Sequence, residues 1–204
     1  MNGNLKENIE IEIKNLYKVY GKNKIFYEFN MRFIKGKITI ILGKSGCGKT
    51  TLLNLISGID KNYSGNIIVR SSKIAYIFQE DRLIKSSNVF GNIAFVLKSI
   101  LKKKDIEPEV LRYLKIVEME DYAEKFPDEL SGGMKRRIAL ARAIAYNGDL
   151  LLMDEPFKGM DHELKQRIMK RLLKLHEERN NSIVMVTHDG DEAKVMGDNI
   201  YSLD

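Results

Sequence analysis

From Ile9 the chain alternates, with Ile9, Ile11 and Ile13 apolar and Glu10, Glu12 and Lys14 between them. A period of two predicts a half-buried strand over residues 9–19. Gly21, Asn23 and Lys24 mark a turn, and Ile25 to Ile34 continues in strand fashion. Residues 37–42 then form a β-branched run apolar on both faces, the pattern of a buried central strand. A glycine-rich stretch from Gly43 to Gly48 interrupts it, and Thr51 to Ile56 reads as a helix ended by Ser57-Gly58. Two short strands are expected at 67–69 and 74–78.

The texture changes between Asn88 and Glu129. Val89, Ile93, Val96, Leu97 and Ile100 fall at helical spacing, as do Val110, Leu111, Leu114 and Val117. These residues predict a helical insert, closed by Phe126-Pro127. Strand texture returns at 150–153 and 182–186, with a charged amphipathic helix from Leu164 to Arg179 between them. Strands separated by helices predict a parallel sheet covered on both faces. The expected architecture is an α/β core with a helical subdomain inserted in it, and no internal repeat.

Length and composition narrow the class without naming a chemistry. With 204 residues, 44% hydrophobic and 30% charged, the chain has the composition of one large globular domain or two small ones. A disordered tail, a collagen-like rod and a multispanning membrane protein are excluded. The apolar runs fall far short of the roughly 18 residues needed to cross a bilayer. No leader is expected either, since Leu5 to Glu10 already alternates. The single cysteine, Cys47, excludes an internal disulfide and suits a reducing compartment. A net charge of +6 suits nucleotides, nucleic acid or an anionic membrane surface alike.

Gly43-Lys44-Ser45-Gly46-Cys47-Gly48-Lys49-Thr50 fits G-x-x-x-x-G-K-[ST] at every specified position. In such a loop backbone N–H groups wrap phosphates, the lysine reaches the outer phosphates and the threonine hydroxyl coordinates Mg²⁺. The helix that follows aims its positive end at the same anion. At ordinary glycine usage a chance match in a chain this long is about a 1% event. Here a buried strand precedes the loop and a helix follows. Cys47 occupies an unspecified position and reads as a small filler.

Leu150-Leu151-Leu152-Met153-Asp154-Glu155 is an apolar strand ending in two carboxylates. Taken alone it is a strand running into an acidic cap. Behind a phosphate loop, Asp154 is expected to hold Mg²⁺ and Glu155 to orient the attacking water. The strand at 182–186 ends in Thr187-His188-Asp189, and ligands gather at the carboxyl ends of parallel strands. His188 is therefore expected at the γ-phosphate, with His162 and His176 solvated on a charged helix.

Leu130-Ser131-Gly132-Gly133-Met134 carries a resemblance to the ATP-binding cassette (ABC) ATPases, whose signature motif it is similar to. Ser131 suits an N-cap, and Met134, Ile138, Ala141 and Ala145 form one apolar face of the helix behind it. The family often has Gln where Met134 stands. The resemblance runs from about residue 9 to 203. It implies one cassette domain over 1–204, with a nucleotide-binding core from 1–84 and 131–204, an N-terminal antiparallel β subdomain, and a helical subdomain at 85–130. It also implies that Tyr20 stacks on adenine, although by itself Tyr20 reads as a strand or turn aromatic. Gln79, by itself a surface polar residue, is implied to sense Mg²⁺ and water beside a membrane partner. Residues from Gly43 through Thr51, together with Ser131, Gly132, Gly133 and Asp161, are implied to bind ATP. Thr50, Gln79 and Asp154 would hold Mg²⁺, and Lys49, Gln79, Glu155 and His188 would be catalytic.

Phe78-Gln79-Glu80-Asp81-Arg82-Leu83, Val89-x-x-Asn92-Ile93-Ala94-Phe95 and Glu155-Pro156-Phe157 are similar to cassettes of nitrate, sulfonate and taurine importers. That group continues with a Pro-Trp pair; here Ile84-Lys85-Ser86 follows and the chain has no Trp. The resemblance implies a Mg-dependent ATPase, working as a head-to-tail dimer on a separate transmembrane permease at the inner face of the membrane. A substrate-binding protein is an expected companion, and nucleic acid is not. The cargo is expected to be a small anionic or sulfonate-like solute. A soluble iron–sulfur assembly ATPase and an exporter or lipoprotein-release cassette are the alternatives. The end at Leu203-Asp204 is shorter than most importer cassettes, with no C-terminal regulatory domain expected.

Overall fold

The structure, a computed structural model, describes residues 8–203; the alternation expected from Leu5 to Glu7 lies outside the described residues. In chain order the elements begin with β1 (Ile9–Tyr20), β2 (Asn23–Ile34), β3 (Ile38–Leu42), α1 (Lys49–Ile56), β4 (Ser64–Val69) and β5 (Ile74–Ile77). Then follow α2 (Val89–Leu97), α3 (Lys103–Ile116), α4 (Gly132–Tyr146) and β6 (Leu150–Asp154). The chain closes with α5 (His162–Arg179), β7 (Ser182–Thr187), α6 (Gly190–Met196) and β8 (Asn199–Ser202). These elements pack into two units, one from the residues up to Tyr76, Asp149–Glu155 and from Asn180 on, the other from Ile77–Gly148 and Pro156–Arg179.

The first unit holds two sheets. One is antiparallel with strand order β2-β1-β4, and the other has the order β5-β6-β7-β3-β8, with β3, β6, β7 and β8 parallel where they pair. A shared core joins Ile11, Ile13, Leu16 and Phe33 of the antiparallel sheet to Leu52, Leu53 and Ile56 of α1 and to Ile41, Leu152 and Val186 of the parallel sheet. Successive strand side chains point to opposite faces. Ile41 therefore meets α1, while its neighbour Ile40 lies against Gly197 at the end of α6. The parallel sheet thus carries a helix on each face, as its two-sided apolar pattern predicts.

One expectation about this unit needs correction, and two elements were not expected. The alternation at 9–13 does not give a solvent face, because Glu10 and Glu12 are buried along with their isoleucine neighbours. Each carboxylate has partners there: Glu10 accepts from the Ser71 and Ser182 hydroxyls, and Glu12 pairs with Lys14 and Arg32. A buried charge is tolerated when its hydrogen bonds are met, and polarity alone does not reveal such partners. The final helix and strand, α6 and β8, carry no pattern long enough to predict them.

In the second unit α2 packs against α3 and α4, and α3 against α4 and α5. Arginines stitch it together. Arg137 donates to the carbonyls of Val117 and Glu118, Arg167 forms a two-point pair with Glu118, and Arg179 reaches the Ile144 carbonyl and the Tyr113 hydroxyl. The Glu118 carboxyl is held below its ordinary value, chiefly by Arg167. His176 is half-buried rather than solvated, with a buried Nδ1 that has no hydrogen-bond partner. His162 is exposed, as expected. No helix among the described residues is long and apolar enough to cross a membrane.

Candidate nucleotide site

Strand register brings the candidate chemistry of the first unit to one edge. Leu42 of β3 lies opposite Thr187 of β7, and Asp154 of β6 opposite Val186. The residues that follow, Gly43, His188 and Glu155, therefore leave the carboxyl ends of adjacent strands together.

Between Gly43 and Thr50 the chain folds around its own lysine. The Lys49 ammonium is buried and donates to the carbonyls of Gly43 at 2.6 Å and Lys44 at 2.9 Å. Gly46 and Gly48 have φ of +85° and +104°, values open to glycine at little cost. At Gly48 space is also short, since a Cβ would stand 2.7 Å from Ile25 Cγ2 and 3.2 Å from the Phe26 ring. Gly48→Val should therefore destabilise the fold by about 2–4 kcal/mol, from backbone strain together with overpacking. An unshifted urea midpoint would show that the loop accepts a side chain. Cys47 packs its Sγ against Gly43, where a Cβ would come within 2.6 Å, which agrees with a small filler. Lys44, Ser45 and Gly46 are exposed at the loop's crest.

Thr50 opens α1 and donates its hydroxyl to Asp154 Oδ2 at 2.7 Å. A hydroxyl and a carboxylate so close form the hard-oxygen pair that suits Mg²⁺, so these residues fit the ion the loop implies. Thr51 is half-buried in the same turn.

Glu155 sits just past β6 in the left-handed region, φ +50°, and its N–H donates to the Val186 carbonyl at 3.0 Å. A non-glycine residue there is uncommon and worth a functional question. The turn directs its carboxylate to His188 Nδ1, 2.8–2.9 Å away. The His188 corner is fixed from behind by residues that the sequence reading did not single out. The buried Thr187 hydroxyl donates to Glu192 Oε2 at 2.7 Å and accepts from the Asp189 N–H. Asp189 caps α6 by accepting from the N–H groups of Asp191 and Glu192. Asp189-x-x-Glu192 has the spacing of a capping box, the one local signal that could have marked this corner.

Tyr20 ends β1 half-exposed. Its hydroxyl donates to Asp60 Oδ2 at 2.8 Å, and the Lys18 ammonium stands 4.5 Å over one face of its ring. Lys18, the Asn62 N–H and the Tyr20 hydroxyl together draw the Asp60 carboxyl down to about 2.

The remaining predicted residues lie in the second unit. Ser131 caps α4, its Oγ accepting from the Met134 N–H at 3.3 Å. Gly132 is exposed, while Gly133 runs so close to Gly159 that a Cβ would stand 2.7 Å from the Gly159 carbonyl oxygen. Asp161 is exposed and accepts the Leu164 N–H at 2.9 Å, capping α5. Gln79 is exposed, and its segment is gripped from α4. Arg136 donates to the Phe78 and Gln79 carbonyls and pairs with Asp81, while Arg142 donates to the carbonyls of Asp81 and Arg82. Just beyond, the buried Asn92 accepts the Ile84 N–H and donates to the carbonyls of Ile84, Ser87 and Asn88. That network gives Asn92 a structural reason to stand where the importer-like motif places it.

A parallel sheet whose carboxyl edge carries this loop, with a threonine–aspartate pair beside it, defines an α/β protein of the phosphate-loop nucleotide-binding class. Its added antiparallel sheet and its helices place it within that class. Residues 26–158 match the family described as ABC transporter, and the chain belongs to that family. The sulfate/thiosulfate import ATP-binding protein CysA of Pectobacterium atrosepticum is 37% identical over 94% of this chain and 63% of its own length. The spermidine/putrescine import ATP-binding protein PotA of Haemophilus influenzae is 36% identical over 95% of this chain and 55% of its own. The chain thus spans less than two thirds of the length of these relatives. Among solved structures, the ATP-binding cassette MJ0796, a dimer in a post-hydrolysis state with ADP and Pi, superposes with a TM-score of 0.86. That match has 30% identity over 95% of this chain and 94% of the other.

Proposed function

We propose that this chain is the ATP-binding and hydrolysing subunit of a membrane transporter, an importer of a small anionic or sulfonate-like solute. The observation that carries the enzymatic part is the convergence of Lys49, Thr50–Asp154 and Glu155–His188 on one sheet edge. Lys49 meets the outer phosphates in place of the two carbonyls it now satisfies. Glu155 takes or orients the proton of the attacking water, and His188 holds that carboxylate and contacts the γ-phosphate. Mg²⁺, held by Thr50 and Asp154 with Gln79, would neutralise charge on the phosphate oxygens. The remaining roles are those of the family resemblance: the loop from Gly43 through Thr51 wraps the phosphates, and Tyr20 meets the base.

The dimeric cassette MJ0796 supports a pairing of two copies, in which the second copy supplies Ser131, Gly132, Gly133 and Asp161 to the phosphate bound by the first. We assign residues 1–84 and 131–204 to the nucleotide-binding core and 85–130 to the helical subdomain facing a permease. The import names of the relatives support the direction of transport, and the sulfate/thiosulfate names favour an anionic solute. The polyamine relative is an importer of cations, so cargo chemistry rests on the motif likeness to nitrate, sulfonate and taurine cassettes. In this reading the chain works at the inner face of the membrane, with a substrate-binding protein outside.

The test is purification of the tagged chain from gently solubilised native cells. A polytopic membrane protein retained through detergent is the expected companion. Soluble partners alone would move the reading to a non-transport cassette.

A further inference from the structure

We propose that Lys18 and Asp60 are positioning residues that hold the Tyr20 ring as a one-sided platform for a purine base, so that affinity for the base, and not for the phosphates, depends on them. The inference rests on the nucleotide reading above. Beyond the register shift between Ile13 and Leu16, the buried positions of β1 are Leu16 and Lys18, which leaves Val19 exposed and the Lys18 side chain almost fully buried. Bulges of this kind re-aim side chains beside functional sites.

The buried ammonium then has three fixed neighbours. It donates to the Asn62 carbonyl at 2.6 Å, pairs with Asp60 Oδ2 at 2.7 Å, and lies 4.5 Å over the Tyr20 ring. Asp60 closes the triangle by accepting the Tyr20 hydroxyl. Oδ1 of the same carboxylate accepts the Asn62 N–H at 2.9 Å, so neither carboxylate oxygen can swing. The ring is therefore fixed by its hydroxyl and by a cation on one face. A cation behind an aromatic ring holds it through the ring quadrupole. The ring stays reachable from solvent, with Tyr20 48% exposed.

The triangle is also tied to the phosphate loop. The Asp60 N–H donates to the Asn54 carbonyl in α1, the helix that begins at Lys49. One short helix therefore connects the base platform to the phosphate lysine.

The test uses calorimetric titration of the full chain, with Mg²⁺, by ATP and by tripolyphosphate, which has the phosphates and no base. Lys18→Met should weaken ATP about tenfold and Tyr20→Phe about threefold, with tripolyphosphate affinity changed by less than about twofold. Tyr20→Phe leaves the Lys18–Asp60 pair in place, so its result does not depend on refolding a buried lysine site. Parallel losses for both ligands, or no loss for ATP, would overturn the proposal. Wild-type protein that takes up tripolyphosphate as tightly as ATP would overturn the platform while leaving the phosphate loop standing. Wild-type protein that takes up neither would overturn the nucleotide reading itself, and this proposal with it.

Discussion

Lys49→Ala should remove measurable ATP binding, with affinity falling at least about 100-fold. The ammonium is buried and already held by the Gly43 and Lys44 carbonyls. Little side-chain freedom is left to lose when phosphate arrives. A charge-assisted hydrogen bond contributes roughly 1.5–3 kcal/mol, and one ammonium can make two to adjacent phosphates. Alanine removes these bonds and also strips two carbonyls of their donor. The loss should therefore exceed that of a point charge at a surface. Calorimetric titration of the variant decides the matter: wild-type affinity would refute the assignment of the loop.

The parts of the molecule that could be read from the chain are those whose chemistry is local. The loop from Gly43 to Thr50 specifies its own backbone, and the apolar runs at 38–42, 150–153 and 182–186 specify buried parallel strands. Such strands need no further information to place Thr187, Asp154 and the loop at one edge. What escaped reading depends on partners distant in sequence. Glu10 and Glu12 looked like a solvated face because Ser71, Ser182 and Arg32 are far along the chain. His176 looked solvated because only packing decides which side of a charged helix is covered. Lys18 passed as one more strand residue, since the bulge that buries it leaves no mark in composition.

The roles of Arg136 and Arg142 were hidden for the same reason. On α4 they read as charges on an amphipathic helix, yet they hold the backbone on both sides of Gln79. The motif around Gln79 was legible only through resemblance, and its geometry only through these distant arginines. Local rules pick out the candidate groups here, and long-range polar contacts hold the backbone around them.

Glu155→Gln should bind ATP with near-native affinity and hydrolyse it about 10²–10⁴-fold more slowly, the range spanned by a positioned general base. The substitution keeps shape and hydrogen-bonding reach, so the amide can still meet His188 Nδ1 where the carboxylate now lies 2.8–2.9 Å away. The left-handed turn at Glu155 and its N–H bond to the Val186 carbonyl belong to the backbone and should survive. What is lost is the carboxylate's charge and with it the capacity to take a proton. If ATP bridges two copies, the variant should accumulate as a dimer in sizing runs with MgATP, while the wild type returns to monomer as it turns over. A slow variant that stays monomeric would keep Glu155 as the base and remove the bridging role of the second copy's Ser131 and Gly133. Normal turnover would remove Glu155 from catalysis and leave its strained turn as a device for holding His188.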